Sequence, residues 1–228
     1  MQNVFQTYLK HMNTGEQRLG FTRRMTKQEI NDCPIVKYYG KIEIIRSEEK
    51  LHLAAEKLQR ESILGFDTET RPSFKKGQHF LPSIMQLAHQ NGVYLFHLNS
   101  LGLSAPLTSL LGNPRILKVG VSLRFDVSEL QKISPFTPDG FIDIGELAKK
   151  SGIKNHGLRG LAAVLLGARI SKTAQRSNWA SDPLTPAQIK YAATDAWIGR
   201  ELYLKLQELS GAVHVNQQPK TAQQCRTS

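Results

Sequence analysis

Asp67 and Glu69 close an apolar run, Ile63-Leu64-Gly65-Phe66-Asp67-Thr68-Glu69. In a strand, side chains at i and i+2 share a face. Two carboxylates on one face of a buried strand repel and desolvate each other. Either the strand ends there and both reach water, or the pair faces a cation. For oxygen-only donors that cation is Mg²⁺ or Mn²⁺. Tyr191 and Asp195 supply a second signal. They are four apart, so they stack on one face of a helix. Ala192, Ala193 and Ala196 flank Asp195 and are small enough to let that helix approach another element closely. A Tyr–Asp surface pair is the alternative, and the Ala-rich setting argues against it. Asp126 is the third signal. It falls in the first turn of a helix after a buried strand, where alone it would only complement the helix dipole. Asp143 fits a strand-to-helix N-cap and is not assigned to the site.

The elements around these residues read as mixed α/β. Strands are predicted over 41–45, 63–68, 83–88, 93–98, 115–121 and 141–144. The pair at 83–98 flanks Gln90-Asn91-Gly92, a hairpin signal. Helices are predicted over 47–60, with Ser47 as N-cap, and over 107–111, 122–133, 144–150, 158–166 and 185–209. Thr185 and Gln188 make a capping box around Pro186 at the first helical position. The order of elements points to a mixed sheet with helices on its faces. Residues 1–24 read as a poorly ordered N-terminal extension, 25–210 as the folded domain, and 211–228 as a disordered tail.

The chain has 228 residues, of which 40% are hydrophobic and 21% charged. That composition suits one globular domain and excludes collagen-like and wholly disordered classes. No apolar run approaches the ~20 residues that span a bilayer. Two cysteines, Cys33 and Cys225, make no disulfide framework, so a reducing, cytoplasmic setting is expected. The formal net charge is +11. A polyanion is its natural partner, because Lys and Arg neutralise phosphates and release counterions. A basic surface kept for solubility is the alternative.

Three stretches carry a family resemblance. Gly65-Phe66-Asp67-Thr68-Glu69 resembles the first motif of the DEDD 3′–5′ exonucleases, and Val119-Gly120-Val121-Ser122-Leu123-Arg124-Phe125-Asp126 the second. Tyr191-Ala192-Ala193-Thr194-Asp195-Ala196 resembles the third, in its tyrosine-containing (DEDDy) form. Asn178-Trp179, Pro183-Leu184-Thr185 and Gln188 match the stretch before that motif. The resemblance is to the RNase D-like group and runs from about Lys41 to Leu209. It implies an α/β ribonuclease H-like fold, with a mixed five-stranded sheet flanked by helices, and makes 25–210 a 3′–5′ exonuclease domain. The implied activity is hydrolysis of terminal phosphodiesters of DNA or RNA, on a single strand or the 3′ end of a duplex, with release of nucleoside 5′-monophosphates. The implied cofactors are two divalent cations, Mg²⁺ or Mn²⁺. Asp67, Glu69 and Asp195 would hold the first. Asp67 would bridge to the second with Asp126 assisting, and Tyr191 would orient water.

Substrate contacts are expected from Thr70, Arg71, Lys75 and Lys76 after the first motif, and from Arg124 beside Asp126. Lys172 and Arg176, before Asn178, are further cations. Thr70 and Ser128 stand where one branch of the family carries tryptophans, so Phe74, His79 or Phe80 would have to supply any stacking. His97 is expected in the core and Trp179 in packing. Two other functions compete. One is a catalytically inactive nucleic-acid-binding module of the same fold, which the complete acid set opposes. The other is a phosphatase built on Asp67-Thr68-Glu69-Thr70, which leaves Asp126, Tyr191 and Asp195 without work.

Overall fold

The computed structural model describes residues 20–21 and 23–215, with side chains as far as 210. Most of the expected extension and tail therefore lies outside the described residues. Six strands, β1 (Lys41–Ile45), β2 (Ile63–Glu69), β3 (Ile84–His89), β4 (Gly92–His97), β5 (Leu117–Gly120) and β6 (Phe141–Asp143), form one sheet in the order β1-β4-β3-β2-β5-β6. β3 runs antiparallel to both neighbours, β2 and β4, and the other pairs are parallel. The sheet is mixed as expected, with six strands rather than five. All six correspond to predicted strands, and the three-residue β6 pairs with β5 from Lys118↔Phe141 to Gly120↔Asp143.

Among the described residues eight helices accompany it: α1 (Lys27–Asp32), α2 (Glu48–Leu58), α3 (Leu98–Leu101), α4 (Ala105–Leu111), α5 (Leu123–Ile133), α6 (Ile144–Lys150), α7 (Leu158–Leu166) and α8 (Pro186–Val215). None among the described residues is long and apolar enough to cross a membrane. The alternation along β2 divides the core. Leu64 and Phe66 join an apolar cluster with α2, α4 and α5 through Leu51, Leu58, Leu107, Leu110 and Leu130. Gly65 lies on the opposite face, where Ala192, Ala193 and Ala196 of α8 pack on the sheet. Period two then places Asp67 and Glu69 on the face covered by α8, and Thr68 on the other.

Several local devices fix α8. Thr185 and Gln188 form the capping box: Thr185 N donates to Gln188 Oε1 at 2.9 Å, and Gln188 N to Thr185 Oγ1 at 3.3 Å. Gln188 Nε2 also donates to Asn178 O at 3.0 Å, which ties the preceding loop to the helix start. Trp179 is fully buried beneath Tyr191, with ring centroids 5.9 Å apart. The helix runs six residues beyond its predicted end, through Gly211, whose cost in a helix is only ~1 kcal/mol. Asp143 caps α6 as expected, accepting from Gly145 N at 2.8 Å and Glu146 N at 3.3 Å. His97 is buried and bonds Ser100 Oγ through Nδ1 at 2.9 Å, while its Nε2 has no partner.

α8 crosses β2 closely at Gly65. A Cβ at Gly65 would stand 2.0 Å from the carbonyl oxygen of Ala196, a backbone atom that cannot move without the helix. At Gly199, on the same helix, the nearest atom to such a Cβ is 3.4 Å away. Gly65→Ala should therefore destabilise the protein by about 1–3 kcal/mol through overpacking. Gly199→Ala should change stability by no more than about 1 kcal/mol, since the helix gains propensity. Urea unfolding of the two variants measures the contrast.

Candidate active site

Where β2 runs out beyond Gly65, Asp67 and Glu69 meet the helix face that carries Asp195. Carboxylate oxygens of the three acids lie within 4.8 Å of one another. Glu69 and Asp195 are buried. No Lys, Arg or His forms an ion pair with any of them among the described residues. The charge is therefore uncompensated, and protonation is the response. Burial first, and then the Asp195 and Asp126 charges, raise the Asp67 carboxyl well above its ordinary range. Burial and the Asp67, Asp195 and Asp126 charges push Glu69 up to about 10. Burial lifts Asp195 to about 7, against the pull of a hydrogen bond from Tyr191. The phenol of Tyr191 is itself driven upward, by burial and then by Asp195 and Glu69.

Asp126 lies outside that triad. It sits on the first turn of α5 and accepts a hydrogen bond from Thr68 Oγ1, on the other face of β2. Burial raises its carboxyl and the Thr68 bond lowers it. The turn into α5 is tight. Ser122 adopts a left-handed φ of 63°, and a Cβ at Gly120 would stand 2.4 Å from Phe66 O. Those two positions hold the start of α5 against the end of β2, so Asp126 flanks the triad.

The donor set fits a hard divalent cation. It consists of carboxylate oxygens alone, and Asp195 Oδ1 is buried without a hydrogen-bond partner. Gln86 is a residue that motif reading missed. It pairs in register with Asp67 across β2 and β3, is fully buried, and leaves both amide atoms unpartnered. Only a polar residue inside an otherwise apolar strand, Ile84–His89, could have signalled it.

The acids floor a cleft of about 700 Å³. Its lining includes Asp67, Thr68, Glu69, Tyr191 and Asp195, together with Arg24, Lys27, Asn155, His156, Arg159 and Lys172. Of these cations the sequence pointed only to Lys172. Thr70, Arg71, Lys75, Lys76 and Arg124 do not line it. Arg71 stacks its guanidinium over Phe80, 4.2 Å from the ring centroid. The connection between β2 and β3 is fastened to α5, where His79 Nε2 lies 2.9 Å from Glu129 Oε2. Lys75, Lys76 and Arg124 are exposed, as is Phe74, and neither His79 nor Phe80 reaches the cleft.

An α/β domain with a mixed sheet, helices on both faces and a buried acid cluster at the end of a central strand is the scaffold of RNase H-like nucleases. Residues 42–210 match the family model described as 3′–5′ exonuclease, and the chain belongs to that family. The mouse bifunctional 3′–5′ exonuclease/ATP-dependent helicase WRN is 33% identical over 159 residues, covering 67% of this chain and 11% of that protein. Ribonuclease D of Gluconacetobacter diazotrophicus is 32% identical over 169 residues, covering 72% of this chain and 42% of its own length. This chain thus spans less than half of either relative. Among solved structures, the Aedes aegypti Nibbler EXO domain superposes with a TM-score of 0.69 at 25% identity, over 75% of this chain and 89% of that one.

The raised carboxyls make a linkage prediction for the metal-free protein. Each group keeps its proton in the fold after the unfolded chain has lost it. Its stabilising contribution is complete below the unfolded pKa of ~4 and is lost as pH rises through the folded value. Stability should fall as pH climbs from ~4 to about 7 for Asp195, and onward to about 10 for Glu69. In Glu69→Gln the upper part of that decline should shrink, with burial of Asp67 keeping a remainder. Urea midpoints measured in EDTA across this range test it, and added Mn²⁺ should restore the wild type at high pH.

Proposed function

We propose that this chain hydrolyses terminal phosphodiesters from the 3′ end of DNA or RNA, on a single strand or at the end of a duplex, and releases nucleoside 5′-monophosphates. The observation that carries this reading is the triad of buried, uncompensated carboxylates at the floor of an open cleft. Relatives named exonuclease and ribonuclease D support the substrate class.

Asp67, Glu69 and Asp195 would hold one divalent cation, with Asp67 shared toward a second flanked by Asp126. Bound there, Mg²⁺ or Mn²⁺ would lower the pKa of an attacking water and offset charge on the departing 3′ oxygen. Tyr191 keeps its proton at neutral pH, because burial and then the Asp195 and Glu69 charges hold its phenol far above that pH. It therefore acts as a hydrogen-bond donor that orients water or phosphate, not as a base. Trp179 packs on its ring and restricts its rotation. Thr68 holds Asp126 in place through its hydroxyl. Arg71, Lys75, Lys76 and Arg124, exposed outside the cleft, contribute long-range attraction to a polyanion.

The test is digestion of 5′-labelled single-stranded DNA and RNA in Mg²⁺, Mn²⁺ or EDTA. A metal-dependent ladder shortening from the 3′ end is expected. Asp67→Ala and Asp195→Ala should lose about 10³-fold or more in kcat, on the scale of removing a main electrostatic stabiliser. Tyr191→Phe should lose less, about 10²-fold, as for one positioning proton donor. A Tyr191→Phe enzyme as inactive as Asp67→Ala would contradict the assigned role. No ladder on either substrate, with binding retained, would mark an inactive binding module.

A further inference from the structure

The cleft has a wall that comes from outside the matched family segment. That segment begins at residue 42, yet Arg24, Met25, Thr26, Lys27 and Ile30 line the same cleft as the acids. These residues are built into the fold. Met25 N donates to Asn155 Oδ1 at 2.9 Å, and Asn155 Nδ2 donates back to Met25 O at 3.2 Å, with Asn155 buried. Lys154 N donates to Gly20 O at 2.6 Å. Arg159 Nη2 donates to Asn31 Oδ1 at 2.7 Å, and Arg169 Nε to Asn31 O and Cys33 O at 3.0 Å. Phe21 and Met25 pack against the apolar cluster of α7 and α8. Thr26 and Glu29 complete a capping box that starts α1 beside the cleft.

The charges on this wall are free to act outward. Arg23 pairs with Glu29, but Arg24 and Lys27 have no acidic partner among the described residues, and neither does Lys172. One cleft therefore joins a strongly acidic floor to cations without acidic partners: Arg24, Lys27, Lys172 and Arg159, the last of which is engaged with Asn31. A small neutral ligand would use neither. A chain of phosphates uses both, with its terminal phosphodiester on the metal-loaded acids and the preceding phosphates on the cations.

We propose that Arg24 and Lys27, with Lys172, form a subsite for phosphates upstream of the scissile bond, so that the segment ahead of the matched domain selects polynucleotides over dinucleotides. This rests on the exonuclease reading. Because the contacts are to phosphate, the subsite strengthens binding of DNA and RNA alike and adds no base preference.

The experiment is binding of a fluorescent single strand to the full chain in EDTA, where nothing is cleaved, across a salt series. Each phosphate contact contributes about 0.7 to the slope of log K against log salt for single strands. Arg24→Gln/Lys27→Gln should therefore flatten the slope by about 1.4. Arg60→Ala, a control in the turn just past α2, should leave it at the wild-type value. In Mg²⁺, the double variant should raise KM for a long strand with little change in kcat, and lower the ratio of kcat/KM for a long strand over a dinucleotide. Arg24→Glu/Lys27→Glu should lower that ratio further. An unchanged salt slope and an unchanged ratio would overturn the subsite while leaving the exonuclease reading intact. A slope flattened in the double variant, together with a wild type that cleaves nothing, would keep the phosphate contacts and defeat the exonuclease reading instead.

Discussion

The contact between Gly65 and Ala196 is the constraint on which the site depends. It exists because β2 offers no side chain where α8 crosses it, and because α8 turns the small residue Ala196 toward that point. At this separation Asp195 arrives beside Asp67 and Glu69, with carboxylate oxygens within 4.8 Å. A helix held at an ordinary distance by larger side chains would leave each acid to solvent and its ordinary pKa. The apolar packing that brings them together supplies the free energy that carboxylate repulsion opposes. Raised carboxyls throughout the triad are the visible result.

The same geometry divides labour across β2. Asp67 and Glu69 face α8, while Thr68 faces α5 and bonds Asp126. Two helices on opposite faces thus converge on three consecutive residues of one strand. Trp179 and the Thr185–Gln188 capping box fix the start of α8, so that Tyr191 and Asp195 meet the strand end at a set height. Stability and function share residues here. Glycine at 65 and alanine at 192, 193 and 196 serve packing, and through packing they set the spacing of the acids.

Much of this was legible in the residues. Every predicted strand is present within a few positions, and α7 matches at both ends. The i, i+2 spacing of Asp67 and Glu69 and the i, i+4 spacing of Tyr191 and Asp195 are local rules of strand and helix, while the meeting of the two pairs is what the family resemblance implies. What escaped depends on long-range contacts. The helix α1 buries no residue and has no apolar period, although Thr26-Lys27-Gln28-Glu29 shows a capping-box pattern. Gly20, Phe21, Arg23 and Arg24 read as part of an extension, yet they are held by Lys154, Glu29 and the cluster around α7 and α8, partners that no local pattern announces. Arg71, Lys75, Lys76 and Arg124 lie near the acids in sequence alone. None of the four lines the cleft, and all are exposed.

The central claim is that the triad is a cation site whose protons are displaced on loading. Calorimetric titration of the wild type with Mn²⁺ near neutral pH, in buffers of different ionisation enthalpy, tests it most directly. Binding accompanied by net proton release, with both lost in Asp195→Asn, is the predicted result. Binding unaltered by Asp195→Asn, or binding without proton release, would contradict it.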